Sequence, residues 1–262
     1  MHLGPHAARQ NYRLETFETL GSTNEEALSR ARAGERGPLW IVAAEQTQGR
    51  GRRGRSWTSP RGNLYASLLL SEPCAPERAP ELGFVAGVAL AEAVRARVGA
   101  APGLGLKWPN DLLHDGAKLS GMLLEATRAP GGPLAVVIGI GVNCMSHPDD
   151  VAYSTTDLDA IRSGAGDVAP LFAELSDALA RALERWRAGA DFAAIRKQWL
   201  AACLGRGQTI RVSNAGAIVE GVFETIDETG RLILAAPGGR MTIEAGDVLL
   251  SGASAGAVRD SA

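Results

Sequence analysis

The sequence predicts an α/β protein, a domain on a mixed sheet followed by a small β-barrel. Short apolar runs alternate with longer helical patterns as far as about residue 205, and from Gly207 the pattern changes to short alternating strands parted by glycine-rich turns. A chain of 262 residues, 45% hydrophobic and 21% charged, can bury one large core and a small satellite.

Tyr12 to Phe17 alternates like a strand. Gly21-Ser22-Thr23-Asn24-Glu25-Glu26 then opens a helix that Gly34 closes, with Ser22 and Glu25 in capping-box register and Thr23 and Glu26 likewise. Leu39 to Ala44 is apolar enough for a buried strand, and it feeds a glycine- and arginine-rich loop before the next strand, Asn63 to Leu70. Glu81 to Val98 places Leu82, Val85, Val88, Ala89, Val94 and Val98 on one side of a helix ended by Gly99. Strands follow at Gly105 to Trp108, Asp111 to His114, Leu119 to Glu125 and Leu134 to Val142, with Asp115-Gly116 as a hairpin turn. Pro170 to Arg187 and Phe192 to Leu204 are amphipathic helices able to cover one face of the sheet.

The barrel strands are Thr209 to Ser213, Ala217 to Glu224, Leu232 to Ala235 and Arg240 to Ile243. Between them lie Asn214-Ala215-Gly216, Glu228-Thr229-Gly230 and Pro237-Gly238-Gly239. The organisation predicted is a flexible N-terminus over 1–11, a large α/β domain over 12–205, a barrel over 206–252 and a flexible tail over 253–262.

A net charge of -2 asks for neither nucleic acid nor an anionic membrane as obligatory partner. Cys74, Cys144 and Cys203 are far apart and lack metal-ligand spacing, which predicts free thiols in a reducing compartment. Met1 to Gln10 has no apolar signal region, and no apolar run is long enough to span a bilayer. A cytoplasmic protein is expected.

Chemistry concentrates in five segments. In Glu45-Gln46-Thr47-Gln48-Gly49-Arg50-Gly51-Arg52-Arg53-Gly54-Arg55-Ser56-Trp57, the glycines admit close backbone approach and the guanidinium groups can clamp carboxylate or phosphate. Five arginines between Arg50 and Arg61 repel one another, so an anionic ligand is expected to order the loop; a solvated loop and an RG-type nucleic-acid segment are the other readings. Leu106-Lys107-Trp108-Pro109-Asn110-Asp111-Leu112 presents a cation, an amide and a carboxylate within five residues, fit for phosphate, Mg²⁺ or a nucleophile, or simply for a capped turn. Lys118-Leu119-Ser120-Gly121 sets a lysine at a strand start, where it can meet a carboxylate or phosphate or serve only as an edge charge.

Gly139-Ile140-Gly141-Val142-Asn143 lacks the third glycine of a dinucleotide fingerprint. It can instead floor a nucleotide pocket or be a plain strand end. Ser22-Thr23-Asn24 offers hydroxyls, an amide and helix-start N–H groups to a neutral polar head group, or caps a helix and nothing more.

Taken in order over residues 12–250, these five segments resemble the biotin protein ligases. The resemblance implies a mixed-sheet biotinyl/lipoyl-ligase (class II synthetase-like) catalytic domain, then an SH3-like β-barrel. It implies two steps: biotin and ATP give biotinoyl-5'-AMP and pyrophosphate, and biotin then passes to a specific lysine of a biotin carboxyl carrier domain. The carrier implied belongs to a biotin-dependent carboxylase of the acetyl-CoA or pyruvate carboxylase type. Carried over residue by residue, biotin-binding falls on Ser22, Thr23, Asn24, Gln46, Gly49, Arg50, Gly51, Arg52, Lys118 and Gly121. ATP- or adenylate-binding falls on Arg52, Arg55, Trp57, Lys107, Asn110 and Asn143, and catalysis on Arg50, Lys118 and Asp111, with Asp111 to orient the acceptor lysine and act as its base.

Mg²⁺ is expected to arrive with ATP and lie near Asp111, without a fixed protein site. A monomer or homodimer is expected, without nucleic acid or membrane. Only about ten residues precede Tyr12, so no repressor activity is expected. A lipoate or octanoate ligase is the nearest rival, but Lys-Trp-Pro-Asn-Asp is not part of its pattern. An RG-type nucleic-acid binder predicts salt-dependent binding without turnover, and a silent biotin sensor predicts binding without pyrophosphate release.

Overall fold

A computed structural model describes residues 1–214 and 217–250. The first unit is a seven-stranded mixed sheet. In chain order it contains α1 (Pro5–Arg9), β1 (Arg13–Phe17), α2 (Thr23–Arg32), β2 (Leu39–Ala43), β3 (Leu64–Ser71), α3 (Leu82–Val98), β4 (Leu104–Lys107), β5 (Asp111–His114), β6 (Ala117–Arg128), β7 (Leu134–Val142), α4 (Leu158–Ile161), α5 (Val168–Trp186) and α6 (Phe192–Ala202). Its strand order is β1-β2-β3-β7-β6-β5-β4, with β1 parallel to β2 and every other neighbour antiparallel. A second, five-stranded antiparallel sheet follows, made of β8 (Thr209–Asn214), β9 (Ala217–Ile226), β10 (Leu232–Ala236), β11 (Gly239–Ile243) and β12 (Asp247–Leu250).

Strand alternation divides the large sheet into two faces. Leu64, Ala66, Leu68 and Leu70 of β3 and Val136, Ile138, Ile140 and Val142 of β7 join the main core with α3, α5 and α6. Trp40 meets Phe172 of α5 edge-on at 5.3 Å, and Phe84 of α3 meets Trp199 of α6 at 5.4 Å. Each fully buried leucine along α5 (Leu171, Leu175, Leu179) contributes about 1.5–3 kcal/mol. The other face carries α2 alone, whose Ala27, Leu28 and Ala31 pack on Leu39, Ile41, Leu69, Ala135 and Val137. Beyond the start of α2, Trp57 of the glycine- and arginine-rich loop lies over the same face at Gly141.

The hairpin at Asp115-Gly116 forms as expected, both residues having positive φ. The small sheet carries one strand that the turn pattern did not separate, β12, and the Asn214-Ala215-Gly216 turn and the 253–262 tail lie outside the described residues, wholly or in part. The small sheet docks on the first unit through Trp108, whose buried indole donates to Gly230 O at 3.0 Å. Arg196 of α6 adds a bond to Ile226 O at 2.6 Å.

The flexible start expected over residues 1–11 is corrected by α1. Pro5 fixes a helical φ at the first position, Gly4 N donates to Ser176 Oγ at 2.9 Å, and Ala7 N donates to Asp177 Oδ1 at 2.9 Å. Ala7 is fully buried. The partners are 170 residues away in sequence, so nothing local announces them. Asp177→Ala should cost about 0.5–2 kcal/mol in urea unfolding and speed amide exchange over residues 5–9.

Candidate active site

The face that carries α2 is shaped by sheet register. One row of partners runs Ile41, Ser67, Gly139, Leu123, and the next runs Ala43, Tyr65, Gly141, Gly121, Asp111, Lys107. Wherever α2 and the arginine loop come closest, the row holds glycine. A Cβ on Gly139 would overlap the Asn24 side-chain oxygen, and one on Gly141 would sit 2.5 Å from the Trp57 indole nitrogen. The result is a cleft lined by α2, the arginine loop and the strand floor.

One end of the cleft is neutral and hydrogen-bonded. Ser22 caps α2, its hydroxyl accepting from Glu25 N, and Ser22, Thr23 and Asn24 are all buried. Gln46 Oε1 accepts from Thr23 N at 2.8 Å while its amide nitrogen donates to Ser59 Oγ at 3.0 Å. Ser67 Oγ lies 2.6 Å from Asn24 Oδ1, and Asn24 Nδ2 donates to Glu125 Oε2 at 2.9 Å. Leu123 adds apolar lining.

The other end is charged. Lys118 Nζ lies 2.8 Å from Asp111 Oδ1, off the line that a hydrogen bond prefers, and 5.5 Å from the centroids of both the Trp57 and Tyr153 rings. Lys107 Nζ meets Asp111 Oδ2 at 3.1 Å. A β-bulge between β5 and β6 aims Lys118 into the cleft beside Gly121, although the two are three positions apart and would otherwise face opposite ways. Burial by itself would raise the Asp111 pKa; the two lysines outweigh it and hold the carboxyl below the ordinary carboxylate range.

The arginine loop is a small hairpin, with Arg50 bridged to Ser56 and Trp57 N donating to Gly49 O at 2.9 Å. The protein itself supplies the counter-charge that an external anion was expected to bring. Arg50 pairs with Glu25 and Glu125, each at 3.1 Å, while Arg52, Arg53 and Arg55 converge on Asp247 at the start of β12. Arg52 Nη1 also donates to Asn110 Oδ1 at 2.9 Å. Burial, opposed by Asp247, lowers the Arg52 pKa, but from so high a starting value that the group stays charged.

Sequence comparison matches residues 17–143 to the Biotin/lipoate A/B protein ligase family and residues 206–251 to the Biotin protein ligase C terminal domain. A biotin--[acetyl-CoA-carboxylase] ligase of Paracoccus denitrificans is 41% identical over 88% of this chain and 98% of its own length. The chain belongs to the biotin protein ligase family. A second relative in the family, the biotin--[acetyl-CoA-carboxylase] ligase of Mycobacterium tuberculosis, is 33% identical over 90% of this chain and 88% of its own. The fold is that of a biotin protein ligase from Aquifex aeolicus solved with biotin and ATP, at a TM-score of 0.78, 24% identity, and coverage of 90% of this chain and 97% of that one.

In this ligase the cleft brings together Ser22, Thr23, Asn24, Gln46, Arg50, Gly51, Arg52, Arg55, Trp57, Asn110, Asp111, Lys118 and Gly121. Three expected site residues stand apart. Gly49 is packed beneath Gln46, Ser59 and the Trp57 backbone, and Lys107 reaches the cleft only through Asp111. Asn143 is buried, donates to Thr156 O at 3.0 Å, and lines a smaller adjoining cavity with Trp57, Lys118 and Tyr153. Sequence reasoning missed Tyr65, Leu123, Tyr153 and Asp247 in the cleft, together with Ser59, Ser67 and Glu125 behind it. Alternation along the strands could have singled out Ser67 as a polar residue in an apolar strand; Tyr153 and Asp247 carry no local signal.

Two measurements follow. Asp111→Asn leaves two half-buried lysines uncompensated and should cost about 3 kcal/mol at neutral pH. Because the folded carboxyl is held low, that contribution is complete above the unfolded value near 4 and fades as pH falls through the folded one, so wild-type and variant stabilities should converge in acid. Gly141→Ala should shift the Trp57 fluorescence and cost about 1–3 kcal/mol.

Proposed function

We propose that this ligase joins biotin to the AMP moiety of ATP, releasing pyrophosphate, and then transfers biotin to a specific lysine of a biotin carboxyl carrier domain. The observation that carries the reading is the polarity of one continuous cleft, neutral and hydrogen-bonding over Gly139 and Leu123, cationic over Gly141 and Gly121. A small acid with a neutral polar head fits it in one direction only. The names of the relatives in Paracoccus and Mycobacterium, and the biotin and ATP bound in the Aquifex structure, support the choice of substrates.

In this reading the ureido head of biotin exchanges hydrogen bonds with Ser22, Thr23, Asn24 and Gln46, and Arg50 and Gly51 close the loop above it. Its carboxylate then faces Lys118 and Arg52. One carboxylate oxygen bonds to the α-phosphorus of ATP as the bond to pyrophosphate breaks, and Lys118, Arg52 and Arg55 take up the charge that moves. Trp57 and Asn143 serve the nucleotide side, and Lys107 acts by holding Asp111. Asp111 Oδ1 and the Asn110 amide oxygen face Lys118 Nζ and Arg52 Nη1, and they would be the hard oxygen donors for a Mg²⁺ arriving with ATP, which when bound would neutralise polyphosphate charge.

In the second step the acceptor amine attacks the biotinoyl carbonyl, the acyl–phosphate bond breaks and AMP leaves, and the proton lost by the amine passes to water. Asp111, its proton affinity lowered by two lysines, is a weak base and serves to orient the incoming amine. The cleft is built from one chain, so a monomer or a homodimer satisfies the chemistry. The cytoplasm, with its ATP and reduced thiols, suits the free cysteines.

Purified protein with ATP, Mg²⁺, biotin and a carrier domain should add one biotin mass to a single lysine. Transfer of lipoate or octanoate instead, or of nothing, would reject the reading. Lys118→Ala should slow adenylate formation by about 10²-fold or more, and Arg50→Ala should weaken formation or retention of the adenylate, both read by pyrophosphate release.

A further inference from the structure

Three guanidinium groups from one hairpin converge on a single carboxylate from the other sheet. Arg53 Nη1 lies 3.2 Å from Asp247 Oδ2, Arg52 Nη1 lies 3.6 Å from Oδ1, and Arg55 Nη2 contacts Oδ2. Three guanidinium groups meet one carboxylate, an excess of two positive charges in this cluster, and Arg52, Arg55 and Asp247 line the cleft. Any anion richer in charge than a carboxylate competes for that cradle. Asp247 is held in place by the sheet that Trp108 anchors, through its β12 pairing with Ser213 of β8.

We propose that Asp247 is a positioning residue, a resident counter-anion that keeps Arg52, Arg53 and Arg55 gathered for polyphosphate and releases them when polyphosphate arrives. The exchange makes the hold of the small sheet on the loop depend on occupancy. Without polyphosphate the hairpin is tied to β12; with it, the arginines turn to the phosphates and the tie is lost. Departure of pyrophosphate restores the tie. The inference rests on the proposed function only in naming ATP and pyrophosphate as the natural anions.

The test uses inorganic pyrophosphate and the full chain without biotin. A mere strut and a counter-anion both predict that Asp247→Asn speeds trypsin cleavage at Arg52, Arg53 and Arg55 in the free protein. They differ in the sign of the anion response. A counter-anion predicts about threefold or more tighter pyrophosphate binding by Asp247→Asn, read by tryptophan fluorescence, with Asp247→Glu close to wild type. Unchanged or weaker binding overturns the proposal. A second measurement needs no variant. Pyrophosphate added to wild-type protein should slow amide exchange over residues 50–57 and speed it over 246–250, and protection of both segments together overturns the exchange. These readouts need no turnover, so their failure is distinct from failure of the biotin-transfer assay.

Discussion

The glycine–arginine hairpin cannot hold itself together, because Arg50, Arg52, Arg53 and Arg55 repel within a few residues of chain. Its shape is held by carboxylates brought from three distant places, Glu25 on α2, Glu125 on β6 and Asp247 on β12. The same requirement governs the far wall of the cleft, where Asp111 stands between Lys107 and Lys118. Cations that suit a nucleotide are costly to gather in its absence. Partly exposed pairs are individually worth little, which makes them easy to exchange for a ligand.

The sheet supplies the rigid counterpart. Hydrogen-bonded register sets Tyr65, Gly141, Gly121 and Asp111 side by side, and the loss of side chains at Gly139 and Gly141 gives Asn24 and Trp57 room to lie against the strands. Behind this floor the main core, packed by α3, α5 and α6, keeps the strands from shifting. Polar groups at α2 then face the floor across a narrow gap, each bonded to another: Thr23 to Gln46, Gln46 to Ser59, Asn24 to Glu125. Such a network of mutually bonded groups holds each member in one orientation.

The small sheet is joined to this site by more than a linker. Trp108 lies in the same short segment as Asn110 and Asp111, so the residue that anchors the sheet stands beside residues that line the cleft. At its other edge the sheet reaches the arginine hairpin through Asp247. The cleft is thereby framed from both sides by contacts with the C-terminal sheet.

Much of this was legible in sequence. Periodicity placed the helices at Leu82–Val98 and Val168–Trp186 to within a few residues, Ser22 announced its cap, and Asp115-Gly116 its hairpin, because each depends on interactions a few residues apart. The five motifs carried the family and most residues of the cleft. Tertiary structure alone decided the partners. It docked Pro5–Arg9 on α5, set Asp111 between Lys107 and Lys118, packed Gly49 beneath Gln46 and Ser59, and brought Asp247 to the arginines. Charge and burial act through space, and the chain brings together groups that its sequence keeps nearly two hundred residues apart.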